Sequence, residues 1–183
     1  MKCDLPSHIY SCMNLREQLM QRHDKQTMLC IKEYVGRDSE RFARLMDLFF
    51  SGEYRIQQRA SWAVMHCADA CPSLVYPYLK AMLAELDQPV HDSVKRNVTR
   101  ILRAITLPEE LYGEVADKCF KLMMEPGSTV AVKVFSMYSL LKIVKKEPDL
   151  AAEFRLVIEE NLPYASPAFK AAAAKVLKEL KKR

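Results

Sequence analysis

Glycine is scarce, with 4 in 183 residues, and so few flexible positions leave little room for the tight turns of an all-β fold. No uninterrupted apolar run approaches the roughly 20 residues that a membrane-spanning helix needs. No apolar segment of the kind found in export signals follows Lys2. The expectation is a soluble, cytoplasmic protein with no membrane partner. The sequence patterns of phosphate-binding loops (G-x-x-x-x-G-K), dinucleotide folds (G-x-G-x-x-G), zinc proteases (H-E-x-x-H) and serine hydrolases (G-x-S-x-G) are all missing. The four histidines, His8, His23, His66 and His91, stand at no motif spacing from a nucleophile. Acidic pairs such as Glu109-Glu110 and Glu159-Glu160 diverge when placed on a helix, which suits solubility better than acid/base chemistry. No catalytic residue and no cofactor is expected.

Cysteine is present, with 6 residues, but its placement argues against a disulfide framework. Cys67 and Cys119 fall on apolar helix faces, where a thiol behaves as a small hydrophobe, so buried reduced thiols are expected. Cys67 and Cys71 are four apart with His66 adjacent, a spacing that raises the question of zinc. His66 points off the cysteine face and no second ligand pair follows, so no metal site is expected.

What the sequence does contain is a repeated pattern. Within residues 56–86, Ile56, Ala60, Ala63, Val64 and Cys67 form the stripe that one face of an α-helix presents. Moving on by 38 gives Val94, Val98, Ile101, Leu102 and Ile105, and by 38 again Val132, Ser136, Ser139, Leu140 and Ile143. A further 37 gives Phe169, Ala173, Val176 and Leu177. Between the stripes lies a second set: Val75, Leu79, Met82 and Leu83, then Tyr112, Ala116, Cys119 and Phe120, then Leu150, Phe154, Val157 and Ile158. Pro89, Pro126 and Pro163, each 37 apart, precede a first helix. Pro72, Pro108 and Pro148 fall near the start of a second helix, where proline is tolerated best. A fixed period of 37–38 residues is the mark of a stacked helical solenoid.

These residues resemble the HEAT repeat, whose first helix runs roughly V-R-x-x-A-A-x-A-L-x-x-I. Ile56, Ala60, Ser61, Ala63, Val64 and Cys67 fill its first-helix positions, Asp69 its turn, and Tyr76-Pro77-Tyr78-Leu79 approximates its second helix. Gln57 departs from the usual Arg, and Leu107 replaces the turn Asp in the next repeat. The resemblance implies an all-α fold, a right-handed α-α superhelix of helix pairs forming a single domain over residues 1–183. Its divisions would be an N-terminal cap over 1–24, helix pairs over 25–52, 53–89, 90–126 and 127–163, and a capping helix over 164–183. For the cap, Ser7 is the expected N-cap of a helix through Ile9, Leu15 and Leu19. Gly36 is expected to end the helix before it, and Asp38 or Ser39 to start the next.

Two surfaces stand out. On the first helix of residues 53–89, Arg55, Arg59, Trp62, His66 and Asp69 form a stripe away from the core face, and Trp with Arg is the composition of binding hot spots. Packing of Trp62 between neighbouring repeats is the alternative reading of that stripe. The resemblance also implies that second helices line a concave groove, where Lys80, Asp117 and Arg155 align, followed by Ala84, Lys121 and Glu159, and by Glu85, Leu122 and Glu160. Charges of both signs beside Tyr76, Tyr78 and Leu122 suit a polypeptide partner. Lys95, Arg96, Arg100 and Arg103 form a basic ridge, expected to be answered by Glu109, Glu110, Glu114 and Asp117. The net charge of +5 is concentrated in residues 131–183, with 11 basic against 6 acidic side chains. The expected function is a non-enzymatic scaffold for a protein or peptide partner. The alternative is a nucleic-acid-binding protein similar in architecture to the DNA-alkylation-repair glycosylases built from HEAT-like repeats.

Overall fold

A computed structural model of the chain describes residues 13–181, and among these every regular element is helical. Ten α-helices follow one another there: α1 (Leu15–Gln21), α2 (Lys25–Val35), α3 (Ser39–Phe49), α4 (Tyr54–Ala70), α5 (Leu79–Glu85), α6 (Asp92–Ala104), α7 (Tyr112–Met124), α8 (Val130–Val144), α9 (Ala151–Asn161) and α10 (Pro167–Lys181). They form two layers. Helices α2, α4, α6, α8 and α10 pack each on the next, while α3 packs on α4, and α5, α7 and α9 contact one another in series. The all-α solenoid read from the repeat is the fold observed.

The stripes explain the layering. Ile56, Ala60, Ala63, Val64 and Cys67, and their counterparts from Val94 to Ile105 and from Val132 to Ile143, are all buried. So are Phe169, Ala173 and Val176, while Leu177 is half-buried. Each first-layer helix therefore meets apolar surface from the helices before and after it. Side-chain burial of this kind contributes about 1.5–3 kcal/mol per large aliphatic residue.

Boundaries are set by local chemistry. Asp24 caps α2 by accepting from the Thr27 N–H at 2.8 Å, and Asp38 caps α3 by accepting from Glu40 and Arg41 at 2.9 and 3.0 Å. Gly36, at φ 54°, supplies the left-handed turn between them. The first helix among the described residues starts at Leu15 with Asn14 as its N-cap, and Ser7 and Ile9 lie outside the described residues. Arg16 ties this helix to the start of α4 with a two-pronged bond to Glu53 at 2.7 and 2.6 Å.

The second helix expected from Pro72 onward is also different. It opens as two 3-10 turns, Pro72–Leu74 and Tyr76–Tyr78, and becomes α-helical only at Leu79. Pro77 falls inside the expected helix, where its ring and missing N–H interrupt an α-helical ladder, so short 3-10 turns precede the α-helix. The thiol expectation is corrected too. Cys67, Cys71 and Cys119 are free, and burial pushes Cys67 and Cys119 up to about 12, but Cys30 is disulfide-bonded.

Leu102 is 1% exposed, between α4 and α8. Leu102→Ala is expected to destabilise the fold by about 2–5 kcal/mol in denaturant melts. A loss under about half a kcal/mol would mean that the layer does not close over it.

Candidate functional site

The first-helix stripe is largely taken up by packing. Arg59 donates to the carbonyls of Leu19 and Met20 at 2.7 and 3.0 Å, satisfying the C-terminal end of α1. Trp62 is half-buried, with the His23 ring edge-on at a centroid distance of 5.0 Å and the His66 ring at 6.0 Å. Asp69, still within α4, pairs with Arg100 of α6 at 2.8 Å. Of the stripe, Arg55 alone is exposed in full view of solvent besides Asp69. Arg59 and Trp62 are thus held against residues 19–23, and His66 lies beside Trp62 on the same helix.

The basic ridge on α6 is answered by partners other than the four acids expected. Lys95 pairs with Glu125 at 3.2 Å, and Arg100 reaches back to Asp69. Arg103 lies over the rings of Tyr138 and Phe135, 4.7 and 5.5 Å from their centroids. The sequence reading matched cations to the following helix, whereas side chains here also reach the preceding helix and the end of the next. Lys142 was not foreseen at all. Its amino group donates to the carbonyls of Leu102 at 2.9 Å and Arg103 at 3.0 Å, and also to that of Ile105, closing the end of α6 much as Arg59 closes α1.

The second-helix face is more open. Tyr76, Lys80, Asp117, Lys121, Glu159 and Glu160 are exposed, and Arg155 and Tyr78 are half-buried, Tyr78 with its ring edge-on to Phe42 at 5.7 Å. Leu122 is a correction: at 3% exposure it belongs to the core and not to the lining, because α7 turns that side toward its neighbours. Lys121 and Lys118 both bond Asp87, which holds that carboxyl below the usual carboxylate range. Two apolar residues missed from sequence join this face or its edge, Leu156 at 56% and Met124 at 49% exposure. They sit outside the core stripe, and only the packed structure tells such a position from a buried one.

A HEAT repeat domain family matches residues 15–180. The chain belongs to the HEAT repeat family. No curated protein and no solved structure matches it. HEAT repeats are commonly protein-interaction scaffolds. Among the described residues of this HEAT-repeat chain, no group of three His, Cys, Asp or Glu side chains is placed to hold a metal ion, and no helix is long and apolar enough to cross a membrane.

Two outcomes follow from the buried polar groups. Lys142→Met leaves the carbonyls at the end of α6 without a donor, and a loss of about 1–3 kcal/mol is expected in chemical denaturation. His66 is half-buried with its Nε2 unpartnered. Burial holds its pKa below the ordinary 6.5, with Asp69 acting in the opposite sense. The unfolded chain therefore binds more protons just below pH 6.5, so the stability His66 contributes when neutral is lost as pH falls through that window. Thermal melts from about pH 7.5 to about 5 should show a falling Tm, and a smaller fall in His66→Gln. An equal fall in both proteins would assign the effect to other groups.

Proposed function

We propose that this chain is a non-enzymatic scaffold whose second-helix face binds a protein or peptide partner. The observation that supports the reading is the make-up of that face: Lys80 and Lys121 stand with Asp117, Glu159 and Glu160, and Tyr76 and Leu156 add exposed apolar surface. A polypeptide offers both signs of charge together with apolar side chains, and a mixed surface complements it. A duplex presents one negative charge per about 1.7 Å and rewards cations alone, so each carboxylate on the face subtracts from binding.

Selection from a random peptide library on the purified chain tests the proposal. Recovered peptides should bind wild type, lose at least about tenfold in affinity on Leu156→Asp or Lys80→Glu, and tolerate Arg55→Glu. In parallel, random duplex DNA should show only weak binding at two salt concentrations. Submicromolar, steeply salt-dependent binding to duplex, abolished by charge reversal at Lys80 and Arg155, would replace this reading with the nucleic-acid one.

A further inference from the structure

A cleft of about 430 Å³ opens where the ends of α6 and α8 meet the start of α7. Its apolar side is formed by half-buried Tyr112 with the edges of the buried Ile105 and Leu107, and its cationic side by Arg103 and Lys146, with Lys145 there also paired to Glu179. Lys142 also borders it, but its amino group is already bonded to three carbonyls. No carboxylate lines this cleft. Three other surface hollows are of mixed sign: Lys133 with Glu160 beside Tyr164, Lys95, Lys118 and Lys121 with Asp87 and Glu125, and Lys145 with Glu179 beside α10.

The placement of Arg103 adds to this contrast. Its guanidinium rests on two aromatic rings, which orients the group while leaving its edge N–H donors for a planar acceptor. Lys146, just past the end of α8, is exposed. A fixed guanidinium, an exposed ammonium and an apolar floor together favour a ligand that carries carboxylate and hydrocarbon side by side.

We propose that this cleft docks an acidic segment of the protein partner, with an apolar side chain against Ile105, Leu107 and Tyr112 and carboxylates against Arg103 and Lys146. The inference rests on the scaffold reading above and names a second contact for the same partner. A nucleic-acid backbone is a poorer match, because it has nothing to place on the apolar floor and would meet Asp117, Glu159 and Glu160 on the neighbouring layer.

The test uses the full chain and a set of labelled seven-residue peptides in which one Leu or Phe is flanked by Asp and Glu, with matched Asn and Gln versions. Acidic peptides should bind more tightly than their amide versions, and more weakly as salt rises. The double variant Arg103→Glu with Lys146→Glu should lose at least about tenfold, the milder Arg103→Gln about threefold, and Lys80→Glu less than about twofold. Circular dichroism on each variant verifies that the fold is retained, and both positions are exposed. Acidic peptides that bind the double variant as well as wild type would overturn the site and leave the scaffold reading standing. Equal affinity for amide peptides would overturn it as well, since charge would not be what is read. Binding confined to library peptides that depend on Leu156 and Lys80 would place the partner on the second-helix face alone, and failure of every peptide would remove both proposals. Duplex DNA binding lost in the same double variant would reassign the cleft to phosphate.

Discussion

No helix pair in this chain can bury its apolar surface alone, and the rest of the structure follows from that constraint. Helix α6 carries Val94, Val98, Ile101 and Leu102 on a buried stripe, and α4 and α8 close over it from either side while α7 packs on α8. Such stacking makes stability a property of neighbours, in which each interface supports the next. Helix α1 adds contacts to α2, α3 and α4, and α10 packs on α8 and α9.

Apolar stripes alone would let adjacent helices slide or rotate, since leucine meets valine almost equally well in several registers. Directional bonds between neighbouring helices remove that freedom. Asn97 donates to the Ser61 hydroxyl at 2.9 Å in the buried interface of α4 and α6, and Ser61 in turn donates to the Gln58 carbonyl at 2.7 Å. Gln57, buried at the same level, donates to Glu85 at 2.6 Å. A shift by one residue would leave these groups buried without partners, at about 1–3 kcal/mol each. Exposed pairs such as Lys145 with Glu179 add far less, because water and salt screen them.

The core was legible in the sequence because its signal is redundant: the same spacing recurs, with only size changing from Ile56 to Val94 to Val132. Gln57 shows the same regularity from the other side. It stands where the repeat resemblance expects Arg, and it is buried, so its departure from the pattern serves an interface. Polar partners were far less legible. Lys142 and Arg59 look like ordinary surface cations in the sequence, and nothing in spacing says that each ends on backbone carbonyls of an earlier helix. Leu122 failed for a related reason. One α-helical position is 100° from the next, and an error of that size in the orientation of α7 moves a residue from groove to core.

The same sorting of cations bears on what a net charge of +5 can mean. Arg59 and Lys142 sit on helix-end carbonyls, Lys95, Arg100, Lys118 and Lys121 on carboxylates, and Arg103 on aromatic rings. A cation already matched to a carboxylate adds little to the long-range field, which depends on unbalanced charge. The net charge of +5 is what remains once such pairs cancel, so the long-range field comes from cations that have no carboxylate beside them. What distinguishes one surface from another is whether the counter-charge is local, and that is a property of how consecutive pairs interlock. Around Asp87 two lysines share one carboxylate, whereas Arg103 and Lys146 border a cleft whose lining holds no carboxylate, although Lys145 beside them pairs with Glu179 of α10. The helix-end carbonyls there carry only partial negative charge, and Lys142 already answers those of α6.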